Sequence, residues 1–173
     1  MRLQGVAYRA HNPKWSWSPL SGEGARMHGG RFNPKGVAAL YLSLDWSTAI
    51  IEASQGFAFR IPPLTIVSYD IDCEDIADLT SAEERTRHRV SSKAMACAWR
   101  LLADSGVPVP SWRMAERLME AGLAGVIVPS FAAGADRDAK NLVLWRWSEA
   151  PPHRVAIIDL ERRLPRNATS WTS

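Results

Sequence analysis

Apolar and polar residues along this 173-residue chain fall into a short series of elements separated by Gly- and Pro-rich breaks. Residues 6–9 predict a short first strand. Residues 11–23, rich in Pro, Ser, Gly and Trp, lack any period and predict a structured loop. Residues 37–44 form an apolar run behind the turn signal Pro34-Lys35-Gly36, which predicts a buried strand. A helix follows, with Asp45 as a good N-cap and with Trp46, Ala49, Ile50, Ala53 and Phe57 on one stripe. Glu52 lies about a third of a turn from the centre of that stripe, so it can flank the core and still face a cleft.

Residues 64–71 read as another strand, with Pro62-Pro63 fixing its start. Residues 92–102 and 112–121 carry the helical period, the second ended by Gly122, and Ser111 reads as its N-cap. Residues 125–129 predict a short buried strand, 130–139 a loop of small residues, and 141–147 and 154–158 the last strands. No repeat or internal boundary interrupts this order. It predicts one α+β domain over residues 1–173, with a mixed, mostly antiparallel sheet core and flanking helices.

Composition narrows the class. Hydrophobic residues make up 46% and charged residues 23%, enough for a packed core and ordinary for a soluble protein. The net charge is only +3, and bases alternate with acids, as in Glu83-Glu84-Arg85-Thr86-Arg87. That pattern argues against a direct nucleic-acid platform. No apolar run reaches membrane-spanning length and the first residues hold no signal-peptide segment, so the expectation is a cytoplasmic protein. Cys73 and Cys97 read as two buried thiols. His11, His28, His88 and His153 show no paired ligand spacing, so no metal site is expected.

The residues that stand out for chemistry lie close together. Arg31 follows Gly29-Gly30 in a turn or short strand, Tyr41 lies in the next strand, and Glu52 in the helix after it. A guanidinium matches phosphate and ribose oxygens, and the glycines let a ligand approach closely. A tyrosine ring can stack on a flat heterocycle and keep its hydroxyl in water. A carboxylate beside a sugar stabilises an oxocarbenium-like transition state and can hold a hydroxyl. NAD offers phosphates, a flat ring and such a sugar carbon. Each residue also has a plain structural reading: a surface arginine, an interior tyrosine, a helix-surface glutamate. Arg9 and Arg26 could add phosphate contacts or be solvated charges. Ser130, after Pro129 at a strand end, could serve a ligand or cap a turn.

The segments Leu20-Ser-Gly-Glu-Gly-Ala-Arg26, Gly29-Gly-Arg-Phe-Asn-Pro34, Ala39-Leu-Tyr-Leu-Ser43 and Ala49-Ile-Ile-Glu52 resemble the RES domain, the toxin of bacterial RES–Xre toxin–antitoxin pairs. Gly125-Val-Ile-Val-Pro-Ser130 and Asn141-Leu-Val-Leu-Trp145 are also similar to it. The family is named for an arginine, a glutamate and a serine. Arg31 and Glu52 match the first two, and Ser130 or Ser111 the third. Phe32 stands where the family usually has tryptophan. The resemblance implies a fold similar to diphtheria-type ADP-ribosyltransferases. It implies NAD as substrate, surrounded by Arg9, Arg31, Tyr41, Glu52 and one of the two serines. It also implies an Xre-like antitoxin that covers the site and itself binds DNA. Two outcomes of the chemistry stay open: transfer of ADP-ribose to a protein acceptor, or to a small acceptor such as water or phosphate. A non-catalytic module that holds a nucleotide or a partner is the reading from another class, and it would make Arg31 and Glu52 structural.

Overall fold

A computed structural model describes residues 1–54 and 61–171. Among them, seven strands form one sheet: β1 (Leu3–His11), β2 (Leu40–Ser43), β3 (Thr65–Cys73), β4 (Ile76–Asp78), β5 (Gly125–Pro129), β6 (Lys140–Leu144) and β7 (His153–Ile157). Their order is β4-β5-β6-β2-β1-β3-β7, with β4–β5 parallel and the other pairs antiparallel. The helices are α1 (Glu23–His28), α2 (Trp46–Ser54), α3 (Ala82–Arg87), α4 (Ser92–Met95), α5 (Trp99–Asp104) and α6 (Pro110–Glu120). This is the α+β class that the sequence predicts. The short elements β4, α1 and α3 have no counterpart in the sequence reading.

Over β4, β5, β6 and β2 both faces of the sheet are buried, whereas along β1 and β3 one face is open, with Val6 and Ile66 exposed. Leu40 and Leu42 pair in register with Leu144 and Leu142, and these four share a core with Val67, Tyr69, Ile71 and Val155. On the other face, Val126, Val128 and Val143 meet Met114, Ala115 and Leu118 of α6. The side-chain period of two assigns alternate strand residues to these two cores. The third partner of that second face is Phe32, which is 2% exposed.

One junction is thin. β1 and β3 pair continuously from Leu3↔Cys73 to His11↔Thr65, whereas β1 and β2 meet in register only at Tyr8↔Ser43. The sheet therefore loosens between β1 and β2, and α2 packs across that place. Asp45 caps α2 as predicted, its Oδ1 accepting from Ser47 N at 2.6 Å. The apolar stripe is rotated from the predicted one. Thr48 and Ala49 are buried, while Trp46 is 57% exposed. Phe57, the last of the predicted stripe, lies outside the described residues.

His11 closes the end of β1. It is 6% exposed, and its Nε2 lies 2.8 Å from the Tyr69 hydroxyl, which donates to Pro19 O. Burial first, and then the Arg9 charge, lower its pKa from 6.5 to about 3. The folded state thus refuses a proton that the unfolded chain takes up below pH 6.5. Between those values the unfolded state binds more protons, so stability rises with pH and falls on acidification. We expect a loss of up to about 1.4 kcal/mol per pH unit below that point from this residue alone. Urea midpoints measured from pH 7 to 4 should fall steeply in the wild type and less steeply in His11→Gln. Parallel slopes would contradict the assignment.

Candidate active site

The loosened junction opens into a cavity of about 230 Å³ lined by Tyr8, Arg9, Ala10, Tyr41, Leu42, Ser43, Ala49, Glu52, Ala53 and Asn141. Glu52 is the carboxylate in it. Its Oε1 accepts from Ser130 Oγ at 2.6 Å and from Asn141 Nδ2 at 2.5 Å. Its Oε2 has no partner among the described residues. Helix α2 thus presents one satisfied and one free carboxylate oxygen. Ser130 arrives from the end of β5, and its Oγ also accepts from Ala132 N, which fixes the turn into the following loop. Asn141 arrives from β6.

Arg31 is set by a turn whose backbone is held on every side. Gly30 and Asn33 bridge each other across it. The carbonyls of Gly30, Arg31 and Phe32 accept from Trp112 Nε1 at 2.6 Å, Ser111 Oγ at 2.5 Å and Trp145 Nε1 at 2.9 Å. Three successive buried acceptors are satisfied by side chains rather than by a ladder, which suits a tight turn inside a protein. Asn33, fully buried, donates to Ala25 O and Val37 O at 2.8 Å each. The guanidinium of Arg31 donates through Nη1 to Met95 O at 3.2 Å and Cys97 O at 2.7 Å, and lies 4.6 Å from the centroid of the Phe131 ring. Its Nε and Nη2 have no partner among the described residues. Burial lowers its pKa, opposed by the charges of Cys97, Glu52 and Tyr41. Arg31 does not line the Glu52 cavity. It borders the adjoining open surface of Ala98, Trp99, Arg100, Leu101 and Asp104, within electrostatic reach of Glu52.

Tyr41 differs from expectation. Its ring lines the cavity, but its hydroxyl is not in water: it donates to Asn33 Oδ1 at 2.7 Å and accepts from Phe32 N at 3.0 Å. Burial pushes its pKa up, against the opposing pull of the Phe32 N–H and Arg31. The hydroxyl is part of the Arg31 turn. A Cβ on Gly30 would lie 2.5 Å from that hydroxyl oxygen and 2.6 Å from Asn33 Oδ1, so the turn needs glycine there. The consequence is measurable. Tyr41→Phe leaves the Phe32 N–H and the Asn33 carbonyl oxygen unpaired, at a cost of about 1–3 kcal/mol. Its melting temperature should drop, and its ligand affinity should drop with it because Arg31 loses its support. An unchanged melting temperature would mean that water replaces the hydroxyl.

The other expected residues fall at different places. Arg9 borders the cavity, but its guanidinium donates to Ser21 O at 3.2 Å and is close enough to Tyr69 and His11 to influence both; burial lowers its pKa. Arg26 forms an exposed ion pair with Glu23 at 2.5 Å and takes no part in the cavity. Ser111 is not an N-cap. Pro110 occupies the first helical position of α6, Val109 precedes it, and Ser111 is fully buried against the Arg31 carbonyl and the Cys97 thiol. The predicted helix 92–102 is two helices, α4 and α5, and at the break the carbonyls of Met95 and Cys97 accept from Arg31. Cys73 is buried and Cys97 half-buried; both are free thiols. Asn141 is the site residue that the sequence reading passed over. Among the described residues no group of three His, Cys, Asp or Glu side chains is placed to hold a metal ion, and no helix is long and apolar enough to cross a membrane.

The RES domain family model matches residues 6–167. This chain belongs to the RES domain family. No curated protein sequence matches the chain. Among solved structures, the M. tuberculosis MbcT–MbcA toxin–antitoxin complex is similar, at 20% identity over 92% of this chain and 84% of that one, with a TM-score of 0.58. At that identity the likeness is one of fold. In this RES domain, then, the glutamate of α2 touches Ser130, and the arginine of the turn lies within electrostatic reach of that glutamate with Ser111 bonded to its backbone carbonyl.

Proposed function

We propose that this RES domain is the toxin of a toxin–antitoxin pair and that it breaks the nicotinamide–ribose bond of NAD in the cytoplasm, passing ADP-ribose to a protein acceptor. The observation that carries the reading is Glu52. Its Oε1 is held by Ser130 and Asn141, while Oε2, like Nε and Nη2 of Arg31 within electrostatic reach, has no partner among the described residues. A cavity of about 230 Å³ is smaller than the usual 300–1,000 Å³ of small-molecule pockets, so it suits one end of a dinucleotide. The nicotinamide–ribose end fits the chemistry: a ring against Tyr41 and a sugar against Glu52. The phosphates then lie outside, where Arg31 borders open surface.

The bond between ribose C1′ and the pyridinium nitrogen breaks, and its electron pair goes to that nitrogen. Nicotinamide leaves neutral, so no covalent protein nucleophile is required. The positive charge left on the sugar faces a fixed carboxylate, the arrangement that lowers such barriers most effectively. An acceptor oxygen or nitrogen then attacks C1′ and releases its proton. Incubation with labelled NAD, cell lysate and phosphate, followed by separation of protein-bound from small-molecule label, tests the reading. Label on protein supports transfer. Label on ADP-ribose or its phosphate ester makes the enzyme a glycohydrolase or phosphorylase. No released nicotinamide at all overturns NAD cleavage.

The MbcT–MbcA complex joins a toxin to an antitoxin, and we propose an Xre-like antitoxin for this chain as well. Arg9 lines the cavity and Arg31 lies within electrostatic reach of Glu52 on the open surface it borders, so a segment bearing carboxylates suits this region by charge complementarity. NAD titrated into the purified complex should then bind far more weakly than to the free toxin. Equal affinities would mean that the antitoxin works away from the site.

A further inference from the structure

A carboxylate has two chemically equivalent oxygens, and its terminal torsion is broad. Which oxygen meets the ligand is therefore decided by its neighbours. Here the decision is made by residues of two strands and of the turn after a third. Ser43 of β2 and Asn141 of β6 are directly opposite partners in the sheet. Ser43 is 4% exposed, and its Oγ donates to Asn141 Oδ1 at 2.8 Å. That bond holds the far side of the amide, and the carboxylate sets its direction. Were it turned over, Oδ1 would face the Glu52 carboxylate, acceptor against acceptor. With the amide held, Nδ2 must point at Glu52 Oε1, which it reaches at 2.5 Å. Ser130 Oγ, beyond β5, adds a second donor to the same oxygen at 2.6 Å. Hydrogen bonds to an ionised group are the strong ones, and two of them, one from β6 and one from the turn after β5, on one oxygen hold the carboxylate against rotation.

We propose that Asn141, aligned by Ser43, is a positioning residue that holds Glu52 so that Oε2 alone faces the reacting sugar. The inference rests on the NAD-cleaving reading for its kinetic consequence, but the clamp itself is a property of the free protein. Asn141 touches Glu52 and acts through it. Without it the carboxylate turns about its last torsion, and the charge is spread over orientations that do not face the sugar. Asn141 is itself one of the cavity walls, so its loss also weakens NAD binding, but the larger effect falls on the chemical step.

Two measurements test this. The first uses free protein. The side-chain amide protons of Asn141, observed by NMR, should be well separated, with the one bonded to Glu52 shifted downfield. Glu52→Gln should move that proton upfield because the charge is gone, and Ser43→Ala should bring the pair together as the amide begins to turn. An Asn141 amide that resembles those of exposed asparagines, or that ignores Glu52→Gln, overturns the clamp whether or not the protein cleaves NAD. The second is kinetic. Asn141→Ala should lower kcat roughly 10- to 100-fold, the span expected for one hydrogen bond to a charged group, with KM for NAD changed far less than kcat. Ser43→Ala should lower kcat roughly tenfold or less. The double variant should be no worse than Asn141→Ala, because Ser43 acts only through Asn141. Additive losses, or a change confined to KM, overturn the positioning role. If Asn141→Ala fails to fold, Ser43→Ala with the amide spectrum decides. A wild-type protein that releases no nicotinamide, yet shows the shifted amide, keeps the clamp and removes only the proposed reaction.

Discussion

Glu52→Gln should keep the fold and lose NAD cleavage by on the order of 100-fold or more, the usual cost of removing one well-placed electrostatic group. The substitution is severe for a structural reason beyond the lost charge. Glutamine keeps one carbonyl oxygen, and Ser130 Oγ and Asn141 Nδ2 both donate to the Oε1 position. The oxygen of the amide must therefore occupy that position, and its NH2 must take the place of Oε2. A cavity that offered a carboxylate oxygen to a developing cation would then offer a hydrogen-bond donor. Melting temperature and nicotinamide release, measured on the same preparation, separate folding from chemistry. Cleavage at the wild-type rate would sink the mechanism. Growth arrest that persists in the variant without any cleavage would point instead to a module that works by binding.

Arg31→Lys should fail nearly as badly as Arg31→Ala, with a loss of roughly 100-fold in kcat/KM. Arg31 spends Nη1 on the carbonyls of Met95 and Cys97 and lies over the Phe131 ring, while its Nε and Nη2 have no partner among the described residues. An ammonium is a single point of charge. It can answer the two carbonyls or the ligand, not both, and it has no plane to lay on the ring. A lysine variant within about threefold of wild type would mean that the site asks only for charge, against the usual difference between the two side chains.

The helical period placed Glu52 toward a cleft, and the cleft is there because α2 turns Ala49, Glu52 and Ala53 to it. The glycine-flanked turn at Arg31 was also legible, since its local chemistry lies within a few residues. What could not be read was anything that depends on pairing far along the chain. Asn141 looks like one polar residue at the start of an apolar strand. Its partners, Ser43 and Glu52, are 98 and 89 residues away, and only the β2–β6 register brings them together. The break between α4 and α5 is invisible for a related reason. The sequence carries a continuous helical period through Cys97, whereas in the structure the carbonyls of Met95 and Cys97 accept from a guanidinium 64 and 66 residues away. Ser111 has the residue type of an N-cap, but Pro110 begins the helix one step earlier and frees its hydroxyl for Arg31.

The abundance of tryptophan has a practical side. The indoles of Trp112 and Trp145 donate to the carbonyls on either side of Arg31, and Trp145 is 8% exposed. Any event that pulls this turn open, whether a ligand, a partner or a substitution, separates those indoles from their carbonyls and admits water to them. The emission maximum then moves to the red. The protein carries its own optical gauge of whether the arginine is in place, readable without a label in a stopped-flow cell.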